Sequence, residues 1–415
     1  MRPWHCAHMT NKKIIFAFGL LAMMFLPSCS KDNEGDRSDL TPASTVEHIG
    51  LQIASTSTPQ PPTQTPIRLA STFTPIPTIT PAPTSTRNPV RNISLRTRRD
   101  FGDNRNPFTG EEVSDPAILN RRPIAVKISN SPPKWVRPQS GLSEADLVFE
   151  HVTEGLITRF TAIFYANTPE KLGPIRSARL IDLDIQVMYD AALAYSGSSI
   201  GVSRKLFASE FRSRILRTSS QGYYRTGENK PYEHTLYAEP EGLWQALTDR
   251  SENHEPDLQN IMTFSTLPPN GSERANAITV NYRDWTVIEW RYDAESGKYQ
   301  RWVEGVEHTD ANTDSQIDST NVIVIFTNDT LDRSICETQS GNSCLAFSRV
   351  IDLLGTGPGI LLRDGRQYVI TWRRNVATDL LTFENQSGNP VPLQIGNSWI
   401  QVIPNGYPEP VSIDP

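Results

Sequence analysis

Between Ser55 and Thr86 the chain reads STSTPQPPTQTPIRLASTFTPIPTITPAPTST. Eight prolines, ten threonines and four serines account for 22 of these 32 residues, and Arg68 is the only charge. Such a segment has too little apolar side chain to offset the entropy of folding, so it cannot build a core. Proline keeps it extended, and in polyproline II, at about 3.1 Å per residue, it would reach roughly 100 Å. Thr and Ser beside Pro also suit O-glycosylation. The stretch therefore divides the 415 residues into a short leading piece and a long trailing one that must carry all the folded mass. It also explains why only 37% of the chain is apolar, below the usual share for a globular protein.

The leading piece reads as an export signal. Thr10 to Lys13 (TNKK) is a short positive region and Ile14 to Leu26 (IIFAFGLLAMMFL) an apolar one too short to cross a bilayer comfortably. Met9 is the expected start, because MRPWHCAH adds nothing that a signal needs. The apolar run ends in LPSC, with Cys29 after a small residue, which is the pattern of a bacterial lipoprotein signal. Cys29 is thus the expected lipidation site, and residues 1–28 the signal peptide. Several acyl chains on one Cys would anchor stably, at roughly 0.8 kcal/mol per buried CH₂. Residues 29–99 are then a disordered stalk that lifts the remainder off the extracytoplasmic side of a bacterial cell membrane. Cys336 and Cys344 remain, and two cysteines in an exported chain suggest one disulfide. It would close a nine-residue loop, worth about 2.5 kcal/mol in the chain-entropy model. The net charge of −6 gives no electrostatic case for nucleic acid. No cofactor or metal is expected.

Beyond the stalk, PIAVKI (123–128), ADLVFEHV (145–152) and TRFTAIFY (158–165) are runs rich in apolar, β-branched and aromatic residues, hence strands. A helix follows with Leu180, Leu183, Val187 and Met188 as its stripe. AALAY (191–195) is a short strand, and helices are expected over 198–211 and 239–250. Strands alternating with helices predict a layered α/β domain from 100 to 268. After the Pro, Gly and polar break at 265–275 come short alternating segments with turns every 8 to 12 residues, which predict a mostly-β domain from 275 to 413. The fold class expected is α+β. RYDAESGKYQR (291–301) reads as a hairpin turning at Ser296-Gly297.

Arg176 and Arg179 follow a Gly-Pro break and precede the first of these helices. Helix starts carry unsatisfied N–H groups and a partial positive charge, which favour acids over arginine. With Ser177 as N-cap, two arginines and free N–H groups would make an anion site, which Arg159 could join. The competing expectation pairs these arginines with Asp182, Asp184, Glu150 or Glu154. The segment GSSIG (197–201) fits G-x-S-x-G, placing Ser199 as a nucleophile with His234 as base and a carboxylate such as Glu210 between them in the chain. The plainer expectation is that Gly197, Ser198 and Ser199 present backbone N–H groups at a helix start. His234 lies between aromatics, where a hydrogen-bonded packing role competes with a chemical one. Asp310, Asn312, Asp314 and Asp318 have calcium-loop spacing, but Ser315 and Asn321 replace the required Gly and Glu, which points to a polar turn.

Taken in order, RPIAVKISN, RPQSGLSEADLVFE, EGLITRF, GPIRSAR, SGSS, HTLY, NVIVIF, ITWRRN and GNSWIQVIP resemble the YerB-like lipoproteins, a bacterial family of two domains of unknown function. The resemblance spans about 120 to 404. It implies that Arg137, Arg159, Arg176, Arg179, Ser199, His234 and Tyr237 fall on recurring positions. Ser198 stands where the family often has a second Gly, and Ile370-Thr371 precede Trp372 where a Gly is common. The family implies a membrane-anchored lipoprotein and no known reaction. The reading that results is a surface protein binding an anionic envelope ligand, phosphate or carboxylate, through Arg159, Arg176, Ser177, Arg179, Ser198, Ser199 and His234. Trp372 and Trp399 are expected in the core. The alternatives are an envelope enzyme, a hydrolase or phosphotransferase using Ser199, His234 and the arginines, and a purely structural module.

Overall fold

The computed structural model describes residues 92–282 and 286–415. The signal peptide, Cys29 and the stalk as far as residue 91 lie outside the described residues. The strands Ile124–Ser129, Leu147–Val152 and Thr158–Phe164 are buried at every position, as near-continuous apolar runs should be when both faces of a sheet are covered. They sit inside an eleven-stranded sheet. Its order is Glu273–Arg274, Arg366–Arg374, Gly355–Arg363, Asn321–Thr327, Ser398–Pro404, Leu147–Val152, Thr158–Phe164, Ile124–Ser129, Ala192–Ala194 and Ile215–Leu216, with Thr382–Glu384 paired to Arg366–Arg374.

The protein is mostly β. The helices Ile181–Met188, Ile200–Ala208 and Pro240–Thr248 are short, and the layered α/β domain expected over 100–268 is not confirmed. The physical reason is an edge. Leu147–Val152 pairs with Thr158–Phe164 on one side only, and an unpaired buried edge would strand its N–H and C=O groups. Ser398–Pro404, from the far end of the chain, fills that edge and runs parallel to both Leu147–Val152 and Asn321–Thr327. Strands from both sides of the break at 265–275 thus share one sheet. The stripe on the first helix also differs from expectation. Ile181, Ile185 and Met188 are buried while Leu183 and Val187 are half-buried, because Asp182 is turned inward to meet a buried lysine.

A six-stranded sheet is built around the hairpin of Val287–Asp293 and Lys298–Val303, flanked by Ala277–Asn281 and Val411–Asp414. Asp293 pairs with Lys298, and Gly297 takes the left-handed conformation (φ 73°) that the turn requires. Alternate residues of a strand face opposite ways, and Glu150 faces this second sheet. Its carboxylate meets Arg301 at 2.7 Å, with both side chains fully buried. Trp290, Trp399 and Phe160 surround the guanidinium at 5.4, 4.7 and 5.7 Å. Burial pulls Arg301 down to about 10, against the pull of Glu150. His308 bonds to Gln139 in the same interior, at 2.7 Å. Trp372 and Trp399 are both core residues. The Asp310 carboxylate accepts the backbone N–H groups of Gly141, Ser143 and Asn312, so the acidic segment acts as a clamp between two loops.

Among the described residues, the longest of three two-stranded ribbons outside these sheets forms an arm. Asp329–Ser340 and Ser343–Ile351 form a two-stranded arm closed by the Cys336–Cys344 disulfide, with Cα atoms 5.7 Å apart. Its ladder is irregular: Asp332 pairs with Ser348, and the next pair is Cys336 with Phe347. The residues bulged out between them include Ile335, which is buried against the body of the protein.

Candidate functional site

On the face of the sheet opposite Glu150 lies a second charged cluster. Register places Lys127 opposite Thr161, and His151 opposite Arg159. The Lys127 ammonium is fully buried and reaches His151 Nε2 at 2.5 Å, Thr161 Oγ1 at 2.9 Å and Asp182 Oδ1 at 2.9 Å. Burial pulls Lys127 down to about 8 against the pull of Asp182. Burial, and then Lys127 beside it, pulls His151 down to about 3. The other oxygen of Asp182 accepts the Arg179 backbone N–H at 2.6 Å.

That last bond overturns the expected helix start. The helix begins at Ile181, with Leu180 at the N-cap position. Ser177 is not the cap, and Arg176 and Arg179 precede the helix. The cause is backbone commitment. Arg176 N–H bonds to Lys127 O, its carbonyl accepts Ser196 N–H, and Ala178 N–H bonds to Gly197 O. Residues 176–178 are sewn between two segments and cannot coil.

The three arginines are not equivalent. Arg179 is quenched: Nε lies 2.6 Å from Glu154 Oε2 and Nη1 3.6 Å from Glu337 Oε2. Asp184 and Glu150 go elsewhere, to Arg374 and Arg301. Among the described residues, neither Arg159 nor Arg176 has a carboxylate within ion-pair distance. Arg159 is only 7% exposed and Nη1 donates to Ser177 O at 3.0 Å. Burial, then Arg179 and more weakly Arg176, pull it down to about 9 against Glu154. Arg176 Nη1 donates to Glu233 O at 3.4 Å, and its Nε is buried without a protein partner.

His234 joins Arg176 through a small ribbon. Tyr223–Arg225 pairs with Leu236–Ala238, and Ile175 N–H bonds to Leu236 O, so residues 234–236 are docked beside 175–176. Tyr237 covers Gly173 so closely that a Cβ there would lie 2.6 Å from the ring. His234 is 3% exposed and its Nδ1 is buried without a protein partner. Burial, then Arg176, pulls His234 below its ordinary value.

Ser199 caps the helix Ile200–Ala208, accepting Val202 N–H at 3.4 Å. It donates to Glu337 Oε1 at 3.0 Å. Ser198 bonds to Ser203 at 2.7 Å. No hydrogen bond joins Ser199 to His234, and Glu210 is exposed, so the Ser–His–acid arrangement is not assembled among the described residues. Arg137 bonds to Asn130 at 3.2 Å, away from the cluster. Sequence reasoning missed Lys127, His151 and Glu337. Lys127 had a signal, as a charge inside an apolar strand. Glu337 had none, since it is 138 residues from Ser199. A cavity of about 830 Å³ lies among Arg96, Leu267, Tyr368 and Gln386, and one of about 440 Å³ beside Phe101 and Tyr165. Neither is lined by Arg159, Arg176 or Arg179; Arg179 is met instead by the Glu154 turn and the arm.

This sheet, with its C-terminal strand set into the N-terminal half, matches a two-part family. Residues 108–253 match "Protein of unknown function (DUF3048) N-terminal domain" and residues 278–400 match "Protein of unknown function (DUF3048) C-terminal domain". The chain belongs to this family of YerB-like proteins. A Bacillus subtilis (strain 168) relative, "Putative lipoprotein YerB", is 29% identical over 304 residues, covering 72% of this chain and 86% of the relative. The crystal structure of YerB protein from Bacillus subtilis superposes with a TM-score of 0.63 at 26% identity, covering 75% of this chain and 99% of that one.

Proposed function

We propose that this chain is a lipid-anchored protein of the bacterial envelope. On this reading it binds an anionic ligand with Arg159, Arg176 and His234, beside Arg179, Ser177, Ser198 and Ser199. The observation that carries the reading is a pair of unmatched nitrogens on neighbouring segments: Arg176 Nε, a donor, and His234 Nδ1, which donates when it carries the ring proton, are both buried without a protein partner. A buried polar atom left unpaired costs roughly 1–3 kcal/mol, and an anion's oxygens would remove that cost for Arg176 Nε and for a protonated His234 Nδ1. Arg159 adds an uncompensated charge from the sheet. The anchor rests on the lipobox ending at Cys29 and on the lipoprotein naming of the Bacillus relative. The extracytoplasmic side and the stalk between anchor and fold follow from the same sequence features.

The enzyme alternative loses ground, because Ser199 is not hydrogen-bonded to His234 and the carboxylate it does meet, Glu337, lies 3.6 Å from the Arg179 guanidinium. Thermal-shift titration of the chain with inorganic phosphate and small carboxylates tests the reading. A saturable rise in melting temperature that disappears in Arg176→Ala and Arg159→Gln is expected. A shift unchanged in both variants would refute the site.

A further inference from the structure

The arm Asp329–Ile351 reaches the arginine cluster and delivers one carboxylate there. The Glu337 side chain is 2% exposed. One oxygen accepts from Ser199 Oγ at 3.0 Å and the other lies 3.6 Å from Arg179 Nη1. These are the contacts an arriving carboxylate would make. The Ser199 proton is aimed outward because its oxygen already accepts Val202 N–H.

Three features hold the arm in register. Ile335 packs against Gly201 so closely that a Cβ at 201 would lie 2.6 Å from it. Lys205 meets Asp332 at 3.4 Å. The disulfide pins Cys336, next to Glu337, where the ladder is irregular. The rest of the arm invests little in the body. Leu331, Leu345 and Val350 are 46%, 66% and 38% exposed, and its contacts with the body include the helix Ile200–Ala208 and the turn Glu154–Leu156. An element with few buried apolar contacts opens at low cost.

We infer that the group this site takes is a carboxylate carried on an extended strand, and that Glu337 holds its place until such a ligand displaces it. The inference rests on the anion-binding reading and adds the ligand's chemistry and the means by which the site is kept shut. The affinity measured for an outside carboxylate is then lowered by the fraction of chains in which the arm is closed.

Isothermal titration of the full chain with N-acetylglutamate, and separately with inorganic phosphate, tests this. Glu337→Gln removes the internal carboxylate, and Lys205→Glu loosens the arm without touching the site. Both variants are expected to bind N-acetylglutamate at least tenfold more tightly than wild type, with a smaller gain for phosphate. Adding Arg179→Ala to Glu337→Gln should abolish the gain, because Arg179 is the cation that Glu337 faces. Equal affinity in wild type and both variants would overturn the inference and leave the anion-binding reading standing. A larger gain for phosphate would overturn the carboxylate assignment. No binding of either anion to any variant would overturn both readings together.

Discussion

Glu150 and His151 are consecutive residues of one strand, yet they enter two charged clusters with opposite characters. On the Glu150 side the charge pairing closes, although Arg301 Nε and Nη1 are buried without a protein partner. Glu150 pairs with Arg301, aromatic rings enclose the guanidinium, and both ions are sealed from water. On the His151 side it does not close. Lys127 and Asp182 satisfy one another and Arg179 takes Glu154, but Arg159 and Arg176 keep only carbonyl partners. The same residue types thus pair with a carboxylate on one face and leave two arginines without one on the other. What separates the two faces is which arginines have a carboxylate partner, since unmatched buried nitrogens occur on both.

The contrast can be broken by mutation. Glu150→Ala strands Arg301 in the interior and should cost about 3–5 kcal/mol, read as a fall in the urea midpoint. Opening the Cys336–Cys344 bridge by double Ser substitution should cost about 2.5 kcal/mol at most. Hydrogen exchange should then rise in the arm while the central strands keep their protection.

Acid tests both faces together. Burial and then Lys127 hold His151 near 3, and burial and then Arg301 hold His308 well below its ordinary value. The unfolded chain takes up these protons below about 6.5, whereas the folded chain does not. Stability is therefore fully present above about 6.5 and falls as the pH drops toward 3. His151 contributes roughly 1.5–2 kcal/mol between pH 6.5 and 5, and His308 acts in the same direction. His151→Gln and His308→Gln should each flatten the slope by one proton, as chemical unfolding across that range would show.

The smallest effect is the most telling. Arg159→Met removes a guanidinium that faces like charges and has no carboxylate partner, so stability should change by less than about 1 kcal/mol in either direction. A loss comparable to that of Glu150→Ala would mean that the two faces are alike after all.

Much of the local structure was legible in the sequence. The runs at 123–128, 145–152 and 158–165, the hairpin turning at Gly297 and the disulfide partners all follow from short-range pattern. Ser199 at a helix start was legible for the same reason. Long-range pairing was not. Nothing near Ser398 signals that its strand will slot beside Leu147, and Glu150 and Trp399 meet across 249 residues. The expected helix start at Ser177 failed because Lys127 and Gly197, distant in sequence, claim its neighbours' backbone. The quenching of Arg179 rests first on Glu154, a partner the sequence offered, and then on Glu337, which only the arm brings near.

The histidines offer the most direct test of the contrast between the faces. In nitrogen-labelled protein, the His234 imidazole should shift saturably as N-acetylglutamate or inorganic phosphate is added, in step with binding heat, while His308 in the sealed interior stays fixed. A His234 resonance that remains still at saturating anion, or moves no more than His308, would contradict the account.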